Sequence, residues 1–385
     1  MTDTFYSVAD FVSIMGEAHP RLLPAISEVA ATWPDTAMIR ALTYDYATLD
    51  EHNQPITMSA LMLLPYVDGA MTARTLWLEN RATQSADKNV PTRRWNIGEA
   101  HVLSNHVLVS PDLMSFGASI DRPICYCHSV LAARNTVDAV LAAENMLLRE
   151  FALPAPLPVI NSGHSQGGFD ALAVHRYMET AATEQERALL PLVRTFCADG
   201  PYVPDVLTRI VAARDKYLYG AYMVMNAMSH LVYHNECFTP DITIADFLTP
   251  AARELGIAET IARKEEGNSE LVKMVIAALG LRTDALFVPE VYQEGGRLYE
   301  MLMRCSERER LIDGWEPALP VSFYHAHEDE CVPVECMQAV EEAWGHLPNV
   351  TFEDDMTPAT DIPNRMVHAY SGGVFHRRLL TDKKL

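Results

Sequence analysis

The stretch Gly163-His164-Ser165-Gln166-Gly167 sets one serine between two glycines, and its surroundings give that spacing a chemical meaning. A short apolar run, Leu157-Pro158-Val159-Ile160, precedes it, and a helix-like run, Phe169-Asp170-Ala171-Leu172-Ala173-Val174, follows. Strand, tight turn and helix are the setting in which Gly-x-Ser-x-Gly is a nucleophile elbow. Gly163 and Gly167 lack a Cβ, so strand and helix can approach closely around a strained turn. Ser165 is then raised at the C-terminal edge of a sheet. The free N–H groups at the helix start point to the same spot and favour negative charge there. The chemistry this suits is attack on a carbonyl, with the oxyanion held by backbone donors. The alternative is structural, since serine is also a preferred helix N-cap.

A serine nucleophile needs a base, and the base needs a carboxylate to fix its tautomer. On an elbow of this kind the acid follows the serine and the histidine follows the acid. The run Phe323-Tyr324-His325-Ala326-His327-Glu328-Asp329-Glu330-Cys331-Val332-Pro333 ends a strand-like segment, and Asp329 is the candidate acid. Glu328 and Glu330 read as solvated loop carboxylates. His368 is the candidate base, in a loop ahead of Ser371-Gly372-Gly373 and the last helix. His376 lies inside that helix beside Arg377 and Arg378 and reads as a surface or core-edge residue. His164 packs behind the elbow. The oxyanion donors are expected to be the backbone N–H of Gln166 and one from the loop after the third strand, with Arg81, Ala82 and Thr83 as candidates.

These side chains need a scaffold. Residues 7–33 read as irregular helices. Ala37–Tyr46 and Ile56–Pro65 read as paired strands around a polar turn, followed by strands at Thr75–Leu78 and Val107–Ser110 and a helix at Ser129–Leu148. After the elbow helix comes a strand at Val193–Ala198. Residues 204–311 then read as helices only: Val206–Ala213, Tyr219–Val232, Ile244–Leu255, Ser269–Leu279 and Gly296–Cys305. The alternation resumes with a strand at Leu319–His325, a helix at Val334–Trp344, a strand at Val350–Phe352 and a helix at Ala369–Leu380. Strands alternating with helices imply an α/β fold, a mostly parallel sheet with helices on both faces. The helical segment is expected to be an inserted cap at the C-terminal edge of the sheet, where such folds bind ligands. The layout is then a core in two parts, 1–203 and 312–385, around a cap at 204–311. Met223 and Met228 in the cap are candidate substrate-binding residues, because methionine adapts to varied partners.

The 385 residues are 49% hydrophobic and 21% charged, a globular composition. No apolar run reaches the roughly 20 residues of a membrane span. A net charge of -21 disfavours nucleic acid and anionic membranes as partners. Seven scattered cysteines and an N-terminus without a secretion-signal pattern point to a cytoplasmic protein with reduced thiols. The expected partner is a small ester or acyl compound; self-association into a homo-oligomer is left open.

The same chain offers residues for other chemistries. His325-x-His327-x-Asp329 has the spacing of a metallo-β-lactamase-type site but lacks that motif's further histidine, and little chain remains to supply more ligands. Cys125-x-Cys127 has no second pair of matching spacing and reads as two buried thiols. Neither metal nor cofactor is expected. An acyltransferase or peptidase could use the same triad, and a hydrolase fold could serve only to bind a ligand.

The chain resembles the secretory-lipase, or lipase A-like, family of α/β-hydrolases from Tyr44 onward. Thr43-Tyr44-Asp45-Tyr46-Ala47-Thr48-Leu49-Asp50 with Leu63-Leu64-Pro65 is similar to its opening strand pair. Val109-Ser110-Pro111-Asp112-Leu113-Met114-Ser115-Phe116-Gly117-Ala118-Ser119 is similar to its PDY-x-GxG-x-S segment, with Leu113 in place of tyrosine. Tyr126, the helix beginning Ala133-Arg134-Asn135, and Gly163-His164-Ser165-Gln166-Gly167-Gly168 follow as in that family. The resemblance implies an α/β-hydrolase fold, ester hydrolysis, Ser165, Asp329 and His368 as the triad, and a helical lid between two late strands. The His-Gly common after the family's third strand is missing here.

Overall fold

The computed structural model describes residues 2–355 and 366–382. The chain opens with strand β1 (Asp3–Ser7) and helices α1 (Val8–Ala18) and α2 (Leu23–Ala30). Strand β1 was not expected. It lies at the edge of the sheet with its first three residues exposed, so it carries no alternating burial signal. Strands β2 (Met38–Leu49) and β3 (Pro55–Val67) form the long hairpin, in register from Met38↔Tyr66 to Leu49↔Pro55. Their turn is closed by Asp50, whose Oδ1 accepts from the N–H groups of His52 (2.9 Å) and Gln54 (2.8 Å).

The short β4 (Ala70–Met71) pairs with β3. Strands β5 (Leu76–Asn80), β6 (Val107–Pro111), β7 (Val159–His164), β8 (Leu192–Ala198), β9 (Val321–Tyr324) and β10 (Val350–Glu353) complete one sheet of order β1-β2-β3-β6-β5-β7-β8-β9-β10. The hairpin side is antiparallel, and every pairing from β6 to β10 is parallel. Alternation along the strands divides the core. Leu76 and Leu78 face α3 (Ser129–Arg149), while Trp77 between them faces α1, α2 and the last helix. Both faces are therefore covered, as parallel strands require.

Helix α4 (Gln166–Thr180) follows β7, and α5 (Glu184–Leu189) leads to β8. The chain then makes α6 (Pro204–Ala212), α7 (Gly220–Tyr233), α8 (Ile244–Phe247), α9 (Pro250–Leu255), α10 (Ile257–Arg263), α11 (Asn268–Leu279), α12 (Thr283–Leu286), α13 (Pro289–Tyr292) and α14 (Arg297–Arg308) before β9. The helix expected from Ile244 to Leu255 is two helices. Pro250 has no N–H and its ring obstructs the preceding turn, so a helix begins there instead, with Thr249 capping the Ala252 N–H at 3.1 Å. Two isolated antiparallel bridges, Lys216↔Arg282 and Leu248↔Phe287, lie within residues 204–311. Helix α15 (Glu335–Trp344) joins β9 to β10, and α16 (Val367–Thr381) closes the fold against α2. Among the described residues no helix is long and apolar enough to cross a membrane.

Candidate active site

The turn between β7 and α4 can exist only with its glycines. A Cβ on Gly163 would collide with the Gly167 carbonyl, and one on Gly167 with the Asn80 carbonyl. Ser165 itself sits at φ 60, ψ -126, a conformation that L residues rarely adopt. Such strain costs about 1–3 kcal/mol and persists only where surrounding contacts enforce it. Here the Ser165 N–H donates to Ala198 O at 2.8 Å, and the Ser165 carbonyl accepts from the Phe169 N–H at 3.1 Å.

The strained turn aims Ser165 at His368. Their Oγ and Nε2 atoms are 2.7 Å apart, and His368 Nδ1 lies 2.6 Å from Asp329 Oδ2. A carboxylate can only accept, so Nδ1 carries the proton and Nε2 presents its lone pair to the serine hydroxyl. Asp329 is held by its own turn: Oδ1 accepts from the N–H groups of Cys331 (2.7 Å) and Val332 (2.8 Å). Burial pushes the His368 imidazole down, but the adjoining Asp329 carboxylate outweighs it and holds His368 well above the ordinary histidine range.

His368 was expected in a loop; it is the second residue of α16. His376 was expected at the surface or core edge; it is buried, 3.5 Å from Glu79 Oε1 and 3.3 Å from His101. Burial pushes the His376 imidazole well below the ordinary histidine range and the Glu79 carboxyl up to about 8. Glu328 is exposed as expected, but Glu330 is half-buried. Glu330 accepts from the His368 N–H (3.2 Å) and from the Tyr219 hydroxyl (2.9 Å). The Tyr219 ring stands edge-on to His368 with centroids 6.1 Å apart. Tyr219 and Glu330 were missed because their importance arises from a contact across 111 positions.

Asp199, at the end of β8, was also missed. It is fully buried at φ 46, and its Oδ1 accepts from the Ala326 N–H at 2.8 Å. Its Oδ2 lies 3.2 Å from His164 Nε2. Burial opposes its charge, but His164 and the neighbouring His325 and His368 hold its carboxyl well below the usual range. His164 does pack behind the elbow, its ring 5.0 Å from that of His368.

Gln166 is buried at the start of α4. The loop after β5 lies against the same helix start, since a Cβ on Gly167 would also press on Arg81 C. The Arg81 side chain turns away to Glu99 (2.9 Å) and to the Arg94 carbonyl (2.6 Å). Met223 lines a small cavity inside the insertion with Tyr217, Val275 and Phe287, and neither Ser165 nor His368 borders it. Met228 packs half-buried against the apolar cluster that the 204–311 helices share with core residues such as Phe169 and Phe323.

The metal motif does not assemble on its own spacing: His327 is exposed, while His325 is buried and bonded to Val332 O at 2.9 Å. His325 does lie 4.0 Å from Asp329, but that carboxylate is taken up by His368 and two backbone N–H groups. A second group, His128, His234 and Glu309, lies close together elsewhere. There the two rings stack at 5° and 4.8 Å, so their in-plane lone pairs do not converge on one ion. Cys127 is buried and Cys125 half-buried, both as free thiols.

No family model matches the chain, and no curated protein matches it in sequence. Solved structures do. The cell-wall-degrading esterase LipA of Xanthomonas oryzae superposes with a TM-score of 0.72 at 18% identity, over 98% of this chain and 96% of that one. A protein of Legionella pneumophila reaches 0.74 at 14% identity, over 100% of this chain and 99% of that one. Candida antarctica lipase A reaches 0.56 at 14% identity, over 85% of this chain and 74% of that one. The chain has the α/β-hydrolase fold. β5 lies between β6 and β7, which brings the loop after β5 beside the elbow.

Proposed function

We propose that this α/β-hydrolase is a serine hydrolase that cleaves carboxylic esters through an acyl-enzyme. The observation that carries it is the continuous pair of hydrogen bonds from Ser165 Oγ to His368 to Asp329, at 2.7 and 2.6 Å, on a strained elbow. The esterase and lipase names of structural neighbours support the same class.

In this mechanism Ser165 Oγ attacks the ester carbonyl while His368 Nε2 takes its proton. The imidazolium is stabilised by Asp329, and the oxyanion by the Gln166 N–H with a second N–H from the Arg81–Thr83 turn. As the C–O bond breaks, His368 gives the proton to the departing alcohol and leaves an acyl-Ser165. Water repeats the sequence and releases the acid. No metal or cofactor enters these steps.

Ser165 and His368 are each only 5% exposed, and Tyr219 of the 204–311 insertion stands over His368. A helical cap of this kind favours small or medium soluble esters over lipid droplets. The deciding experiment is Ser165→Ala on a series of nitrophenyl esters from acetyl to palmitoyl, presented as monomers and as emulsions. Turnover should fall by several orders of magnitude in the variant. Wild-type rates in Ser165→Ala would overturn the mechanism, and a sharp gain at the emulsion interface would replace the small-ester preference with that of a lipase.

A further inference from the structure

The loop after β5 is gripped from outside by one short segment of the insertion. The Asn268 side chain donates to Thr83 O at 2.6 Å, Ser85 Oγ donates to Glu266 O at 2.8 Å, and the Asp87 N–H donates to Lys264 O at 2.8 Å. Lys264 and Glu266 lie in the link between α10 and α11, and Asn268 is the first residue of α11. Within the loop, the Gln84 side chain donates to Ala82 O at 2.8 Å. Successive carbonyls, Ala82 and Thr83, are therefore both fixed by amide donors, and peptide planarity fixes the Thr83 and Gln84 N–H groups on the opposite side.

The segment is itself firmly placed. Lys264 is 5% exposed and adopts φ 56, and its ammonium donates to the carbonyls of Ile120 and Arg122 in another core loop. Gly267 has no Cβ to lift the segment away from Asn89, whose side chain would be 3.0 Å from such an atom. The loop is thus held between the start of α4, where Gly167 abuts Asn80 and Arg81, and a segment anchored on both flanks.

We propose that Asn268 is a positioning residue for the oxyanion site, holding the Arg81–Thr83 turn against the elbow by its bond to the Thr83 carbonyl. The insertion then completes the transition-state machinery as well as covering it. This rests on the ester-hydrolase reading above, in which that turn supplies the second oxyanion donor.

The chemistry of position 268 permits a sharp test. Asn268 is the first residue of α11, where a carboxylate suits the helix end. Toward Thr83 O, however, a carboxylate can only repel, because both groups are acceptors. Asn268→Asp should therefore keep its melting temperature yet lose about tenfold or more in kcat on nitrophenyl esters, with KM nearly unchanged. Labelling of Ser165 by an alkyl fluorophosphonate, whose phosphoryl oxygen takes the oxyanion position, should slow in parallel. Should the added charge unfold the segment, Asn268→Ala carries the same comparison, with a smaller loss in kcat. An inactive Ser165→Ala beside a fully active Asn268→Asp overturns the inference alone, as does a variant that raises KM and spares kcat. An active Ser165→Ala overturns the ester-hydrolase reading and the inference with it.

Discussion

Gly372 lies against the imidazole of His164: a Cβ at this glycine would fall 2.9 Å from Nδ1. Helix α16 can approach the elbow closely because this position has no side chain, and the approach is what delivers His368 to Ser165. At the far edge of the imidazole, Nε2 lies 3.2 Å from Asp199 Oδ2 and 3.4 Å from Ser371 Oγ.

Gly372→Ala should therefore push α16 outward. We expect a kcat loss of about tenfold or more and a stability loss of about 1–3 kcal/mol from overpacking. Gly373→Ala is the control, because its added Cβ would lie 3.4 Å from the flexible Leu22 side chain. Equal behaviour of the two variants in ester assays and thermal melts would show that the close approach does not matter.

His368 must be neutral to accept a proton, and Asp329 favours its charged form. The rise of kcat/KM with pH should therefore have its inflection above the ordinary histidine value of about 6.5. Asp329→Asn leaves burial as the dominant influence, so the inflection should move to lower pH while kcat falls by orders of magnitude. An unmoved inflection in this variant would assign the titration to another group.

Glu79 gives a stability signature. Its carboxyl is held at about 8, with burial the largest cause, against an ordinary 4.5. Between those values the folded chain keeps a proton that the unfolded chain has lost, so stability falls as pH rises. The slope approaches about 1.4 kcal/mol per pH unit, a few kcal/mol in all. Glu79→Gln should flatten denaturant midpoints from pH 5 to 8 and be the more stable protein at pH 8. Parallel curves for the two proteins would rule this out.

The two C-terminal histidines should separate cleanly. His368→Ala should match Ser165→Ala in lost turnover. His376→Ala removes a buried ring and should cost about 2 kcal/mol or more in stability, with kcat within a few-fold of wild type. The opposite pattern would transfer the base role to His376.

The elbow was legible from sequence because its meaning is local: a strand, a turn with two glycines and a helix within a dozen residues. Asp329 was legible for a similar reason, since its side chain caps the turn that precedes Val332-Pro333. The α/β alternation exposed the parallel half of the sheet and the run of helices between β8 and β9. What escaped was set by distant contacts. Glu330 and Glu328 are alike in sequence, and only Tyr219 and the His368 N–H distinguish them. His376 read as a surface or core-edge residue beside two arginines, and α16 turns it inward to Glu79. The break at Pro250 was readable by the ordinary rule for proline in helices, and the apolar pattern across it hid the boundary.

The position of the helical insertion also orders the birth of activity. The elbow and the loop after β5 precede it in the chain, while Asp329 and His368 follow it, and the Ser165–His368 bond spans 203 positions. Closing so long a loop is entropically costly and belongs late in folding. A nascent or refolding chain complete through β8 would hold the serine turn with no base to activate it. On the proposed mechanism, hydrolysis would begin only after the helices between β8 and β9 had been spanned and α16 had docked, so a half-made molecule would not attack the esters around it.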